Sequence, residues 1–465
     1  MSGALVTYQE FEKATDKAAW VAEAIERHKQ GGMYKEAVIA DSYYQWENKT
    51  LSDFVRVLFD MAGQKFVDTT ASNMKIPSRF FYRLNTQRCM YSLGNGAGFS
   101  KDATLGRLGE GFNDKLKEWG VYALIHGLAF AVWDVDHIDV RKVTEMVPVW
   151  DEYDGSLRAA VYFCRIGPEY PLSAMLYEED GFTMYREESG SLEEWKPKRG
   201  YKMTVSEVPA TGFVTEVLEE NYTSLPVVPM WGSRFKRSTL VGMRGHIDAY
   251  DLIKAGFAND TNDCAQIYWI VKNAGGMQTE DLLKMRDQLK LLHIFNANTD
   301  DEGDVRPYTQ EVPYSAREAL LTRIRQDLYD DFGALDVHTL QAGNTNDHID
   351  AAYQPLDEEA DAFEAQVSTA LRALLAVAGI DDEPKFTRNR VSNVKEQVEI
   401  VLSEAEYLDG ETVLEKLPNI SADEVKEILK RKDAEAAEKM AMLPPALQTN
   451  AQGQQPDDGE QEPEE

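Results

Sequence analysis

Two apolar stripes with a polar stretch between them constrain this chain more than any other feature. From Ala316 an apolar residue returns at every fourth position, through Leu320, Ile324 and Leu328 to Phe332. A helix lays such positions along one side. Ser315 and Glu318 have the spacing of a capping box at its start, and Gly333 is placed to end it. The second stripe, Ala360, Phe363, Val367, Ala370, Leu374 and Val377, steps by three and four residues. That is the seam of a helix that packs on other helices. Asp357 is placed to cap it and Gly379 to stop it. Residues 334–355, between the stripes, are rich in Gly, Asn, Asp and Thr and read as a loop. A loop of that length in a well-patterned chain is usually functional.

The rest of the chain sorts by period. Residues 8–29 read as one amphipathic helix with Phe11, Ala14, Ala18, Val21 and Ile25 on its apolar side, ended by Gly31-Gly32. A helical stretch with Tyr43, Tyr44 and Trp46 follows, then a mostly helical span over 51–93 broken at Pro77, then a turn at 94–98. Over 121–228 short runs rich in Val, Tyr, Phe and Trp alternate with Gly, Pro and Asp turns; strands are predicted at 147–150, 158–164, 182–185 and 213–217. After Pro229 a helix is predicted from His246 to about Ala265, with Ile247, Tyr250, Ile253 and Phe257 on one face and a polar end of poor helix propensity at 259–263. Residues 266–313 read as a short α/β insert, with strands at 267–271 and 292–295 around a helix near 279–291. Helices are predicted near 393–408, 411–417 and 422–442, before an acidic tail. The whole is an α+β protein.

Charge narrows the function. The 465 residues carry 49 Lys and Arg against 80 Asp and Glu, a net charge of −31. A protein that grips DNA by neutralising phosphates needs a basic face, and this composition cannot supply a broad one. It leaves room for a surface that DNA slides past. Cys89, Cys164 and Cys264 are far apart and odd in number, which gives neither a disulfide framework nor a zinc pattern and fits a reducing compartment. Glu10, Glu12 and Asp16 argue against a signal peptide. The longest uncharged apolar stretch, 119–133, contains His126 and falls short of the about 20 residues of a membrane span. It reads as core, and the protein as soluble and intracellular.

Catalytic signatures are missing: there is no G-x-x-x-x-G-K-[ST], H-E-x-x-H or G-x-S-x-G. No catalytic residue, metal or cofactor is assigned. Asp134, Asp136, His137 and Asp139 cluster in sequence, but strand alternation sends Asp134 and Asp136 to one face and His137 and Asp139 to the other. A solvated strand end is the reading, with a metal-dependent hydrolase on Asp134, Asp136 and His137 as the alternative. Asn298, Asp300, Glu302 and Gly303 open like a calcium loop, but Thr309 occupies the twelfth position, where a bidentate Glu is required. Arg234, Lys236, Arg237 and Arg244 form the best basic cluster, either a salt-bridge set or a channel wall that meets nucleic acid. Tyr43, Tyr44 and Trp46 are core or a stacking platform.

Several passages, in order, resemble the portal (head–tail connector) proteins of long-tailed bacteriophages. Residues 40–46 resemble the family's early Tyr-Tyr region. Residues 73–94, with Ile76, Phe80, Tyr91 and Gly94, resemble a helix ending in a Tyr-x-x-Gly turn. Leu225-Pro226-Val227-Val228-Pro229, followed by Ile247-Asp248-Ala249-Tyr250-Asp251 and Ala258-Asn259-Asp260, is the most specific match. Ala342-Gly343-Asn344 through Tyr353, Leu356 and Ala360, and Asp409-Gly410-Glu411-Thr412-Val413-Leu414 with Leu417-Pro418, resemble the run into the long helix and the C-terminal crown. Asn344-Thr345-Asn346-Asp347 departs from the family's Asn-x-Ser-Gly, and Ile270-Val271-Lys272-Asn273 from its aliphatic–Lys–Gly strand.

The resemblance implies a portal-like fold: a wing over 1–239 with a long helix over 356–380, stem helices over 240–265 and 315–333, a clip over 266–314, a channel loop over 334–355, a crown over 381–442 and an acidic tail over 443–465. It implies a dodecameric ring at one capsid vertex of the virion, assembled in the host cytoplasm, through which double-stranded DNA passes without sequence-specific binding. Expected partners are the terminase packaging motor, the head-completion adaptor and capsid or scaffold proteins, with no membrane. Channel-loop candidates are His338, Gln341, Gly343, Asn344, Asn346 and His348; docking candidates on the clip are Lys284, Arg286 and Lys290. The stripe over 316–332 and the seam over 360–377 offer more apolar faces than one slim subunit is expected to bury, so both are expected to pack between subunits. A non-ring adaptor or scaffold is the remaining alternative.

Overall fold

A computed structural model describes residues 6–59, 63–68, 72–101, 103–208, 213–264, 268–271, 305–308, 314–337 and 346–390, with single positions from Glu280 to Arg431. Two compact units result: residues 1–336 with 354–389, and residues 337–353 with 390–465.

The first unit mixes helices and antiparallel sheets, as the α+β reading expects. Five strands pair in the order Ser191–Arg199, Gly181–Glu188, Ser173–Glu178, Leu157–Cys164 and Met146–Trp150. A three-stranded sheet places Leu128–Asp134 between Val227–Trp231 and His137–Lys142. The four runs predicted as strands all fall within strands. The helix Lys17–Gln30 buries Trp20, Val21, Ala24 and Ile25 against the five-stranded sheet. The single helix expected over 8–29 is two: Tyr8–Lys13 stops, and Asp16 caps the second by accepting from the Ala19 N–H at 3.0 Å.

The largest core gathers the helices Phe80–Leu93 and Phe112–His126, the Leu128–Asp134 strand and the seam residues of the helix Asn346–Val377. Residues 119–133 are core, as expected, although they divide between helix and strand. Gly127 makes that division. Its φ of +83° is in the left-handed region, and a Cβ there would lie 2.5 Å from the Arg237 carbonyl carbon.

Four expectations change. The span 51–93 is not mostly helical: a short helix, Lys49–Asp53, gives way to a hairpin of Val57–Phe59 and Lys65–Val67, and extended chain leads to Phe80–Leu93. The seam Ala360 to Val377 is buried in the chain's own core, where packing between subunits was expected. The helix carrying it begins at Asn346 and runs through Pro355. The expected loop over 334–355 therefore ends at least ten residues early, and Asp357 lies inside the helix rather than capping it. Residues 380–389 belong to the first unit, where Pro384–Phe386 pairs with Ala97–Phe99, so a C-terminal unit starts at Arg390 rather than 381. In the second unit Arg390 pairs with Asp350 at 3.2 Å and lies over the Tyr353 ring. The helices expected over 393–442 fall largely outside the described residues, although Val401, Ser403, Thr412, Val413, Ile428, Lys430 and Arg431 are helical.

Candidate functional site

Two helices, Arg244–Cys264 and Tyr314–Phe332, pack together, with the Phe257 and Tyr314 rings meeting edge-on at 5.3 Å. Between them in sequence, Tyr268–Val271 pairs antiparallel with Val305–Tyr308. Apart from Glu280, which is helical and exposed, the remainder of that insert lies outside the described residues, including the rest of the helix expected near 279–291, the strand at 292–295 and the calcium-like run at 298–303.

The passage Ile247 to Asp251 explains itself once its neighbours are placed. Ile247 is buried in the main core, and the Tyr250 ring meets Phe80 edge-on at 4.9 Å. Asp248 accepts from the hydroxyls of Tyr43 and, at 3.0 Å, Thr50. Asp251 is fully buried; one oxygen accepts from the Ser78 N–H at 2.8 Å and the other from the Asn48 amide at 2.9 Å. Burial pushes the Asp251 carboxyl pKa up, overcoming the bonds from Asn48 and Ser78 that pull it down. Asn48 also caps the Lys49–Asp53 helix through Leu51.

The same helix continues through its low-propensity end because that end has partners. Buried Asn259 accepts from the Met74 N–H at 2.6 Å. Asp260 receives Arg56 and Arg317, each at 2.6 Å. The described residues between Tyr43 and Arg79 thus form a strap lashed to the helix by Asp248, Asp251, Asn259 and Asp260. Sequence reading treated Asp251 only as part of a motif. Its signal was a carboxylate four residues from Ile247 and four from Ala255, on an apolar face.

The helix Tyr314–Phe332 starts one residue before the Ser315 expected to cap it. Its stripe is half used: Ile324, Leu328 and Phe332 are buried, while Ala316 and Leu320 are exposed. Its end is fixed firmly. Gly333 takes a φ of +62°. Arg88, buried, donates to the Phe332 carbonyl, stacks on the Phe332 ring and pairs with Glu359 at 3.0 Å. Gln87 donates to the Leu335 carbonyl at 2.9 Å, and Arg325 donates to both oxygens of Asp336 at 2.8 Å. The first residues of the expected channel loop are therefore held in place.

Of the channel-loop candidates, His338, Gln341, Gly343 and Asn344 lie outside the described residues. Asn346 opens the long helix and His348 is an exposed residue of it, so these two are helical rather than loop. Lys284, Arg286 and Lys290 also lie outside the described residues. The basic cluster divides. Arg237 pairs with Glu36 at 3.2 Å, and Arg244 pairs with Asp248 at 3.7 Å. Arg234 and Lys236 are exposed, with Lys236 over the Trp231 ring. Tyr43 is core, Tyr44 packs on Tyr82, and Trp46 lies under Arg79.

Asp134 and His137 flank a two-residue hairpin turn and stand opposite each other in the ladder. The alternation expected to separate them stops at that turn, where Val135 has a φ of +52°. The His137 ring hydrogen-bonds to Asp136 at 2.9 Å, and Asp139 pairs with Arg141. Among the described residues no group of His, Cys, Asp and Glu is arranged to hold a metal, and no helix is long and apolar enough to cross a membrane.

Residues 68–438 match the family described as "Phage portal protein, SPP1 Gp6-like". The chain is 28% identical over 222 residues to the Portal protein of Clostridium phage phiCD119, a match covering 45% of this chain and 48%, about half, of that relative. It is 24% identical over 396 residues to the Portal protein of Bacillus phage SPP1, covering 77% of this chain and 75% of that one. With most of its length inside the family match, the chain belongs to the phage portal proteins of the SPP1 Gp6-like family.

Proposed function

We propose that this chain is the subunit of a dodecameric ring at one capsid vertex, a structural conduit for packaging and ejecting double-stranded DNA. In this reading the helices Arg244–Cys264 and Tyr314–Phe332 are the stem, and residues 266–313 between them are a clip. The clip docks the terminase motor and later the head-completion adaptor through Lys284, Arg286 and Lys290. Residues 1–239 with the seam of the long helix are the wing, residues 334–345 the channel segment, and the chain from Arg390 to 442 the crown, facing capsid or scaffold proteins. Arg234 and Lys236, exposed in the single chain, are the members of the basic cluster placed to meet passing phosphates. The protein resides in the virion after assembly in the host cytoplasm.

The observation that carries this reading is the half-used stripe on Tyr314–Phe332: its Ala316–Leu320 end is exposed, with no apolar cover among the described residues. A net charge of −31 suits the role, because acidic walls let DNA pass without adhering, within the about 10 Å reach of charge at 0.1 M salt. Sedimentation velocity and negative-stain microscopy of the full chain test it. A closed ring is expected, and a monomer throughout the micromolar range overturns the reading.

A further inference from the structure

Trp46 and Val135 hold backbone angles that side chains of their size rarely adopt, with φ of +54° and +52°. Such strain persists only where the surroundings impose it, and it gathers where a surface has a task. Both side chains are bare over a good part of their area, Trp46 at 39% and Val135 at 59%. Each stands among charges of one sign.

Around Trp46 that sign is positive. The Arg79 guanidinium lies 4.0 Å from the centre of the Trp46 ring, and Tyr82 meets the ring edge-on at 5.6 Å. Arg83 follows Arg79 by one helical turn. Both arginines are exposed, and neither has an ionic partner among the described residues. With 80 acids against 49 bases in the chain, cations are the scarcer sign, yet these two are left unpaired.

Around Val135 the sign is negative. Asp134 and Asp136 flank it at the tip of the hairpin that joins Leu128–Asp134 to His137–Lys142, and all three are exposed. Asp134 has no ionic partner among the described residues, and the Asp136 carboxylate meets the His137 ring beside it. The tip is held: the Val135 N–H donates to the Tyr222 hydroxyl at 2.8 Å, and a Cβ on Gly109 would strike the Asp136 carbonyl. Gly109 sets the tip near the start of the helix Phe112–His126. The Trp46 platform lies towards that helix's other end, where the Thr239 hydroxyl joins Asn85, three residues after Tyr82, to the Leu124 carbonyl, at 2.7 and 3.0 Å. The helix has 15 residues, about 22 Å, so within a subunit neither patch covers the other.

We propose that the Asp134–Val135–Asp136 tip of one copy docks on the Trp46 platform of the next, with Val135 against the bare part of the indole and the two carboxylates at Arg79 and Arg83. A second copy fits because it brings an aliphatic side chain between two carboxylates to a platform that lacks both. Both surfaces are held before they meet, so little order is lost on docking. The two patches differ, so the contact is heterologous, repeats head to tail and closes into a ring when its rotation closes. Copies carrying −31 each repel, and this contact sets opposite charges against each other where they touch. The inference rests on the ring reading and names one contact that builds the ring.

The test uses the full chain and sedimentation velocity. One variant reverses the platform, Arg79→Glu with Arg83→Glu, and another reverses the tip, Asp134→Arg with Asp136→Arg. Each alone is expected to raise the concentration at which half the rings dissociate by about tenfold or more, with the near-ultraviolet circular dichroism of the folded chain retained. An equimolar mixture of the two is expected to restore rings, because every contact between unlike chains again joins opposite charges. Should a reversal fail to fold, neutral pairs decide: Arg79→Gln with Arg83→Gln, and Asp134→Asn with Asp136→Asn, are each expected to weaken the ring and to flatten its loss with rising salt. Val135→Asn, which tolerates the left-handed backbone, is expected to weaken the ring without lowering the melting temperature of the dissociated subunit. Reversed chains with rings as stable as the wild type, a mixture that stays dissociated, or neutral pairs with the wild-type salt dependence overturn this contact and leave the ring reading standing. A wild-type chain that stays monomeric overturns both.

Discussion

Asp251, fully buried on the helix Arg244–Cys264, accepts a hydrogen bond at 2.8 Å from the backbone N–H of Ser78, 173 positions earlier in the chain. That bond, with the one from Asn48, ties the helix to the strap that carries the exposed hairpin. A buried carboxylate at this joint makes the geometry specific, because only one register satisfies both of its oxygens.

Asp251→Ala leaves the half-buried Ser78 N–H and the buried Asn48 amide without that acceptor, and an orphaned buried group costs about 1–3 kcal/mol. A large drop in the urea midpoint is expected. Asp251→Asn keeps one acceptor oxygen and is expected to lose less at neutral pH. The pH dependence has a definite sign. The carboxyl pKa is raised in the folded chain, so between the unfolded value of about 3.9 and the folded value the native state binds more protons. The Asp251 contribution to stability therefore falls as pH rises through that window. Urea titrations at several pH values should find that slope missing in Asp251→Asn; an unchanged slope would refute the assignment.

Gly333 ends its helix at a φ of +62°, and a Cβ there would meet the Pro355 carbonyl oxygen at 3.1 Å and the Glu359 side chain at 2.8 Å. Gly333→Ala adds left-handed strain of about 1–2 kcal/mol to that crowding. A lowered melting temperature is expected, together with looser hydrogen exchange at residues 334–337. Equal protection there in mutant and parent would show that Gly333 does not hold the start of the channel segment.

Much of this was legible, for reasons that differ by element. The seam from Ala360 to Val377 announced a packed helix because its period is unambiguous, but a period does not say what lies opposite, and the partner is the subunit's own core. Pro355 hid the first turns of that helix, since a proline after Gly- and Asn-rich chain normally marks a boundary; here the helix runs straight through it. The strap was misread because Phe54, Val55, Val57, Leu58 and Phe59 form an apolar run, broken only by Arg56, that suits a buried helix as well as a bare hairpin. Of the candidate site, the helix pair and insert were readable from pattern. The roles of Asp248, Asp251, Asn259 and Asp260 were not, because their partners lie far away in sequence.

His28 packs against Tyr34 and Phe163, and its ring hydrogen-bonds to the Val143 carbonyl at 2.7 Å. Burial lowers its pKa by more than that bond raises it. The unfolded chain takes up its proton near pH 6.5 and the folded chain only below that. Between the two values the unfolded state binds more protons, so stability is lost as pH falls from about 6.5 and is not lost further below the folded value. His28→Gln is expected to flatten this part of a stability-against-pH curve measured by urea unfolding. A parallel curve would assign the slope to other groups.

If residues 266–313 are the docking clip, charge there should matter after assembly and not before it. Lys284→Glu, Arg286→Glu and Lys290→Glu are expected to leave the ring intact in the electron microscope while reducing packaged DNA or adaptor joining. Fully infectious, tailed particles from the triple variant would remove these residues from the docking surface.

The segment proposed to line the channel offers a sharper test, because its flanks are defined. Arg325 and Gln87 hold it through Asp336 and Leu335, and the long helix resumes at Asn346. Residues 338–345 contain no Lys or Arg, so they have no charge with which to clamp phosphate; Gln341 and Asn344 offer amide donors and Gly343 wide backbone freedom. Such a segment suits a sliding collar, with enough polar contact to resist backward slip and too little to stall translocation. Deleting residues 341–345 leaves both anchors and the first turn of the helix in place. Ring formation and capsid incorporation are expected to be normal, while the DNA retained per capsid falls. Capsids that fill and hold DNA normally with the deleted chain would put this segment outside the channel, because a collar absent from the bore cannot be missed by the DNA that passes through it.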